Sequence, residues 1–437
     1  MIRSAFKPLY LALGAALALS ACSPDASAPV EPKAAAPAAA PAPQKLSIDT
    51  ASLPALPAFN VSELDPAVSA CSDLNAHVNS KWLAANPVPA DRTTWGSFEM
   101  LGERSLGVQK QIVESLAAKT DVAGVEKVIG DFWATGMDEA AIDAAGIAPI
   151  QPLLDEVAAL ATPADLAAFI RKSHAEGRGA MFGFGGESDF KDSSQVIAYV
   201  TQGGLGLPDK TYYAGDAHKA EREAYVAHIE ATLKLAGADE ASAKAQAAAT
   251  MAIETALAEV SWSTEEMSRD VSKFYNPVSV ADADAKTPLL PWGEFFSANG
   301  VAAPAQFSLS NPAFFETLNT MVEKTPIADW QAYLRFHTID SAAPYLASAF
   351  AEQNFAFYGK TLRGQLEQKQ RWKRVLDSVN GSVGEALGQI YVEVAFSPES
   401  KQQMETLVAN LSTALKARLE NLEWMSPETK AKALEKW

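Results

Sequence analysis

Residues 71–101 read CSDLNAHVNSKWLAANPVPADRTTWGSFEML. The stretch opens on a cysteine, carries Trp82 and Trp95, and turns at Pro87 and Pro89. The residues before it have the composition of an export signal and a tether. The residues after it have the pattern of a long helical body.

Upstream, Arg3 and Lys7 form a basic start, and residues 9–19 (LYLALGAALAL) are an apolar run too short for a comfortable membrane span. Leu19-Ser20-Ala21-Cys22 then matches a bacterial lipobox. The expectation is a signal peptide over 1–21 and a lipid anchor on Cys22. Ser23, not aspartate, comes after the cysteine. This fits an outer-membrane lipoprotein facing the periplasm. Residues 22–58 are rich in alanine and proline and read as a disordered tether. Only two cysteines are present, so with Cys22 lipidated Cys71 is left alone in an oxidising compartment. Two readings stay open for it: a buried free thiol, or half of a disulfide whose partner lies outside this chain.

Downstream, the body from 59 to 437 reads as mainly α. Residues 105–118 and 122–136 place apolar side chains near helical spacing. Thr162-Pro163, Thr325-Pro326, Ser397-Pro398 and Ser426-Pro427 each look like a helix start, with a hydroxyl to cap free N–H groups and a proline that loses no bond. Gly177 and Gly237 fit helix stops, and the latter breaks a helical hairpin over 216–260. Leu407, Leu411, Leu415, Leu419 and Leu422 form an apolar stripe. One region departs from this pattern. Residues 181–202 (MFGFGGESDFKDSSQVIAYVTQ) alternate and predict a small β-hairpin. The chain stops at Trp437, eleven residues into a freshly started helix, which reads as the edge of a larger domain.

The net charge is −17, and a surface of that sign repels phosphate backbones, so nucleic acid is not an expected partner. Composition and spacing show no catalytic set. The five histidines (77, 174, 218, 228, 337) contain no H-E-x-x-H and no pair at i, i+4, so each reads as surface or satisfied core. Gly204–Thr211 misses a P-loop because Asp209 stands where its second glycine would be. The acid pairs Asp138-Glu139, Glu221/Glu223 and Glu265-Glu266 read as solvated helix faces. The run KQRWKR (369–374) reads as an exposed face with Trp372 turned inward.

Read as ordered blocks, the body resembles the neprilysin/endothelin-converting-enzyme family of zinc metallopeptidases in its N-terminal region. Cys71-Ser72-Asp73-Leu74 with Asn79 and Trp82 is similar to the family's C-x-D-F-x-x-Y-x-N-G-x-W opening. Asn86–Asp91 and Trp95-Gly96-Ser97-Phe98 come next, then Phe132-Trp133 through Glu139. Gly206-Leu207-Pro208-Asp209-Lys210-Thr211-Tyr212-Tyr213 resembles G-L-x-L-P-D-x-x-Y-Y. Glu254-Thr255-Ala256-Leu257-Ala258, Arg269-Asp270, Tyr275-Asn276 and Trp424–Lys430 complete the series.

The resemblance implies the helical cap lobe of a two-lobed peptidase that hydrolyses oligopeptides. Its zinc would be held by the histidines of H-E-x-x-H and a later glutamate. None of those residues falls within this sequence, so catalytic and metal residues are expected in a missing C-terminal lobe, and this chain alone is expected to be inactive. The alternative is a stand-alone, non-catalytic periplasmic lipoprotein acting as a peptide-binding or interaction module; a third reading is a nonfunctional truncation. Substrate contact falls by resemblance on Thr94, Ser97 and Glu99. Thr94 and Glu99 replace an arginine and an aspartate that some members place near a substrate's terminal carboxylate, and Leu74, His77 and Ser80 depart from the opening motif.

Overall fold

A computed structural model describes residues 46–437 except Phe59 and Ala303. The expected signal peptide and Cys22 lie outside the described residues.

The first layer is built from four helices. They are α1 (Leu74–Ala85), α2 (Ser97–Ala117), α3 (Gly124–Met137) and α4 (Glu139–Ala145). Helix α2 buries Val108, Ile112, Val113 and Leu116, a 4-1-3 spacing that puts all four on one stripe. Helix α3 answers with Ile129 and Trp133.

The expected tether reaches to residue 58, but its last part has a place in the fold. Residues 46–58 lie against the body: Leu46, Ile48 and Leu53 pack on the core shared by α2 and α3. The Asp49 amide donates to Gln111 Oε1 (2.8 Å), and Arg104 donates to the Pro54 carbonyl (2.6 Å). Three apolar residues among the prolines suffice to seat the segment.

Next come α5 (Gln151–Ala158) and α6 (Pro163–Ala175). Helix α6 starts as predicted, with Thr162 and Asp165 forming a reciprocal capping box. The expected hairpin is present as β1 (Phe182–Ser188) and β2 (Val196–Gln202), antiparallel, with Phe182 opposite Gln202. The expected helical hairpin is α7 (Lys219–Leu235) and α8 (Glu240–Val260), broken at Gly237, whose φ of 87° is a left-handed value that side chains resist.

The chain then runs through α9 (Thr264–Arg269), β3 (Pro277–Val278), α10 (Val280–Lys286), α11 (Trp292–Ala298) and β4 (Phe307–Leu309). The two short strands extend the hairpin to a four-stranded sheet of order β1-β2-β4-β3, with β2 and β4 parallel. Its inner face meets the aromatic core of Phe182, Trp292, Phe295, Phe296, Phe307 and Phe315, all buried.

Helices α12 (Pro312–Lys324) and α13 (Ile327–Ala342) cover this core, α14 (Ser348–Asn354) packs Phe350 in a second core with Tyr225 and Ile229 of α7, and a π-helical turn spans Phe355–Thr361. Thr325-Pro326 does not start α13 as the sequence suggests. Thr325 is extended and closes α12, donating its amide to the Met321 carbonyl, and α13 begins without a side-chain cap.

Asn311 joins three elements. It caps α12 by accepting from the Phe314 amide (3.2 Å), and its Nδ2 donates to Gln202 Oε1 (2.8 Å) and the Val260 carbonyl (3.0 Å). The residue is buried. Asn311→Ala should therefore cost about 2 kcal/mol, from a lost cap and the two lost bonds to Gln202 and Val260, although Gln202 Oε1 keeps the Trp262 amide as a donor. A lowered urea midpoint at unchanged m-value checks this.

The last helices are α15 (Arg371–Ala395), α16 (Pro398–Asn421) and α17 (Pro427–Lys436). Helix α15 kinks at Val383 and packs Val375, Leu376 and Val379 on α2 and α3. The run 369–374 is not the free face it resembles: Lys373 is almost buried and pairs with Asp91 (3.3 Å) and Glu103 (3.0 Å). Ser397 and Ser426 cap α16 and α17 as predicted. The stripe of α16 stays uncovered, with Leu407, Leu411 and Leu415 about half exposed. Among the described residues no helix is long and apolar enough to cross a membrane.

Candidate functional site

The loop from Pro87 to Trp95 is pinned from below. The Ala90 carbonyl accepts from the Leu366 and Glu367 amides, and Arg92 pairs with Glu103 and lies over the Trp95 ring. Arg92 is thus committed and is not a spare cation for a substrate carboxylate. The loop delivers Thr94, Ser97 and Glu99 to the first turn of α2. Thr94 Oγ1 donates to Glu99 Oε1 (3.0 Å), and Phe98 beside them is 88% exposed. The three residues share one open surface. Cys71 is exposed and unpaired among the described residues.

The histidines do not converge. His77 bonds the Val68 carbonyl, His174 the Ala180 carbonyl, and His218 stacks on Tyr212. Burial pulls the pKa of His174 below its ordinary range. His228 is buried against Asp340 (2.9 Å). Burial would raise the Asp340 carboxyl, but hydrogen bonds from His228 and Tyr358 and the charge of His228 hold it below the usual range. Among the described residues no three His, Cys, Asp or Glu side chains are grouped to hold a metal ion. The described residues do not fit a zinc centre.

Glu221 and Glu223 lie on a solvated face of α7, whereas members of the other two acid pairs have structural partners. Asp138 caps α4, Glu139 pairs with Arg371, and Glu266 closes the capping box of α9.

The strongest polar constellation centres on Glu254 of α8, which is completely buried. Its Oε2 accepts from Tyr213 Oη (2.5 Å) and the Gly206 amide (3.1 Å). Its Oε1 accepts from Tyr225 Oη (2.9 Å) and lies 2.8 Å from His337 Nε2. Burial, then the Glu254 charge, push both phenols far above their ordinary pKa, so they remain donors at any working pH. Four donors on four lone-pair positions leave the carboxylate no capacity for a ligand. The cluster ties α7, α8, α13 and the loop 204–213 together.

His337 is half-buried and reaches open space. It lines a cavity of about 640 Å³ with Phe169, Ser173, Arg178, Met181 and Tyr345, and the buried Ser173 Oγ there has no hydrogen-bond partner. The volume and apolar walls suit a small ligand or one peptide side chain.

Gly206, Tyr213 and Glu254 stand in motif blocks legible in the sequence. His337 gave no signal, because its partner lies 83 positions away.

Known proteins share this architecture. Residues 70–437 match peptidase family M13. An endothelin-converting enzyme homolog of Locusta migratoria is 26% identical over 86% of this chain and 54% of its own length. Human endothelin-converting enzyme 1 is 25% identical over 86% of this chain and 50% of its own. The crystal structure of the Mycobacterium tuberculosis zinc metalloprotease ZMP1 superposes with a TM-score of 0.79 at 31% identity, covering 87% of this chain and 58% of that one. The chain spans about half the length of the curated relatives it matches. A match over the helical body, with the ordered blocks from Cys71 to Lys430, establishes that the chain belongs to peptidase family M13, the neprilysin and endothelin-converting-enzyme family of zinc metallopeptidases.

Proposed function

We propose that this chain is the cap-lobe half of a periplasmic zinc endopeptidase that cleaves oligopeptides, with the zinc ligands supplied by a C-terminal catalytic lobe. The observation that carries the reading is the family match over 70–437 combined with a sequence that contains no H-E-x-x-H. Exposed apolar side chains support it. Met404, Leu407, Val408, Leu411 and Leu415 on α16 and Trp424 beyond it are open, as are Leu74, Leu83 and Phe98 at the other end of the chain. Surfaces of this kind are made to be covered. Cys71, exposed and without a partner among the described residues, fits a disulfide to that lobe. In this reading Thr94, Ser97 and Glu99 face the substrate, residues 1–21 are a signal peptide, and Cys22 carries the lipid that holds the protein at the outer membrane.

The test is reconstitution. This chain alone should bind no stoichiometric zinc and cleave no peptide. Extended by an M13 catalytic lobe, it should do both, and phosphoramidon should block the cleavage. Stoichiometric zinc with phosphoramidon-sensitive hydrolysis by the chain alone would sink the proposal. The cavity beside His337 favours a second reading, a non-catalytic lipoprotein that binds peptides. A well-behaved monomer that binds oligopeptides without a catalytic lobe would decide for it.

A further inference from the structure

The run 369–374 carries four cations, and three of them are matched. Lys369 pairs with Asp377 (2.8 Å), Arg371 with Glu139 (3.1 Å), and Lys373 with Asp91 and Glu103. Arg374 is the exception. Its Nε donates to the Lys369 carbonyl (3.2 Å), but among the described residues its guanidinium forms no ion pair. It does not project freely into water. Burial and the adjacent Arg371 charge pull its pKa below the ordinary value, against the opposing charges of Glu139 and Glu352.

Arg374 lines a cavity of about 590 Å³ between α3, α15 and the segment around Leu346. Val128, Phe132, Ile142, Pro149 and Leu346 make its walls apolar, and Tyr345, 64% exposed, stands at the rim. The one carboxylate in the lining, Asp131, is neutralised by Lys127 at 2.7 Å. Arg371 also lines the cavity, but Glu139 and the Gly136 carbonyl occupy its guanidinium. An apolar chamber with one uncommitted guanidinium selects a ligand by charge. A neutral guest leaves the cation unmatched, and an ammonium is repelled. A carboxylate can be gripped by two parallel N–H donors while its body fills the chamber. The volume is that of a small-molecule site.

We propose that this cavity binds a small carboxylate with an apolar body, its head on Arg374 and its tail against Phe132, Ile142 and Leu346. The site is independent of the peptidase reading. The same chemistry occurs in a free acyl carboxylate and in the C-terminus of a short apolar peptide, and probes separate the two.

Calorimetric titration of the full chain with decanoate, decan-1-ol, decylamine and N-acetyl-leucine tests the proposal. Decanoate should bind at one site at least tenfold more tightly than decan-1-ol or decylamine. Arg374→Met, which keeps the apolar stem, should weaken decanoate at least tenfold, and Arg374→Lys should weaken it less. Thr135→Trp, which plugs the mouth and keeps the arginine, should abolish binding. Arg374-dependent binding of N-acetyl-leucine tighter than that of decanoate would identify a peptide C-terminus as the guest, and the reverse order an acyl chain. Equal affinity for decanoate and decan-1-ol, or decanoate binding unchanged in Arg374→Met, overturns the proposal. Should Arg374→Met fail to fold, the decanoate–decanol comparison and Thr135→Trp decide the same question.

Discussion

Glu254→Ala is expected to lower the stability of the body by about 3–5 kcal/mol, the range for removing one partner from a buried, fully bonded charge cluster. The cost does not come from one lost bond. Tyr213, Tyr225, the Gly206 amide and His337 all aim at this carboxylate, and both phenols lie where water does not reach. Each orphaned buried donor carries a desolvation penalty of about 1–3 kcal/mol, while the net gain from an ordinary hydrogen bond is about 1 kcal/mol. Alanine also leaves a cavity, which adds to the loss. Glu254→Gln should fall between alanine and wild type. Its carbonyl oxygen still accepts two bonds, but its amide nitrogen confronts donors it cannot satisfy. The order Glu, Gln, Ala in urea midpoint at unchanged m-value is the check. An alanine variant within about 0.5 kcal/mol of wild type would mean that the cluster is not the pin it looks like, since changes that small are typical of uncommitted surface positions. The double variant with His337→Ala should cost less than the sum of the two singles, because both remove the same contact.

The cluster also shows what a sequence can carry. The apolar stripe of α2, the capping box of α6 and the glycine break of the α7–α8 pair were legible because period, cap and turn are local properties. The β1–β2 hairpin was legible for the same reason. Strands β3 and β4 were not. They are two and three residues long, and they form because β2 receives β4 at the hairpin edge and β4 in turn receives β3. Thr325-Pro326 misled because a hydroxyl before proline fits a helix stop and an extended residue equally well. Residues 46–58 misled because composition averages over Leu46, Ile48 and Leu53, the three residues that pack. The run 369–374 misled because charge looks like exposure until Asp91 and Glu103, 282 and 270 positions upstream of Lys373, are brought alongside. The family blocks were legible as an ordered series, but their physical role was not. Gly206, Tyr213 and Glu254 fall in two blocks some 40 positions apart, and only the fold shows that they are one device.

The same device makes Gly206→Ala the second large effect. A methyl group built on Gly206 would lie 1.7 Å from Tyr225 Oη and 2.5 Å from its Cζ, closer than any real contact. The loop cannot simply retreat, since the Gly206 amide is bonded to Glu254 and the next amide, Leu207, to Tyr213 Oη (2.9 Å). Nor can the ring move freely. Tyr225 is fully buried, packs against Phe336 and Phe357, and is held by Glu254. Something with no slack must shift, so the cost should lie at or above the upper end of the usual overpacking range, about 3 kcal/mol. A partial rescue distinguishes this clash from a general intolerance of the loop. Tyr225→Phe removes the oxygen that sits nearest the new methyl and costs stability on its own by freeing one position on Glu254. When the two substitutions are combined their defects overlap, so the double variant should be more stable than additivity allows, by about 1 kcal/mol or more, within the range found for residues in contact. The rescue stays incomplete because the ring carbon at 2.5 Å remains. Strict additivity in urea titrations would show that the methyl group is accommodated by movement of the loop, and that the glycine is required there for a reason other than Tyr225.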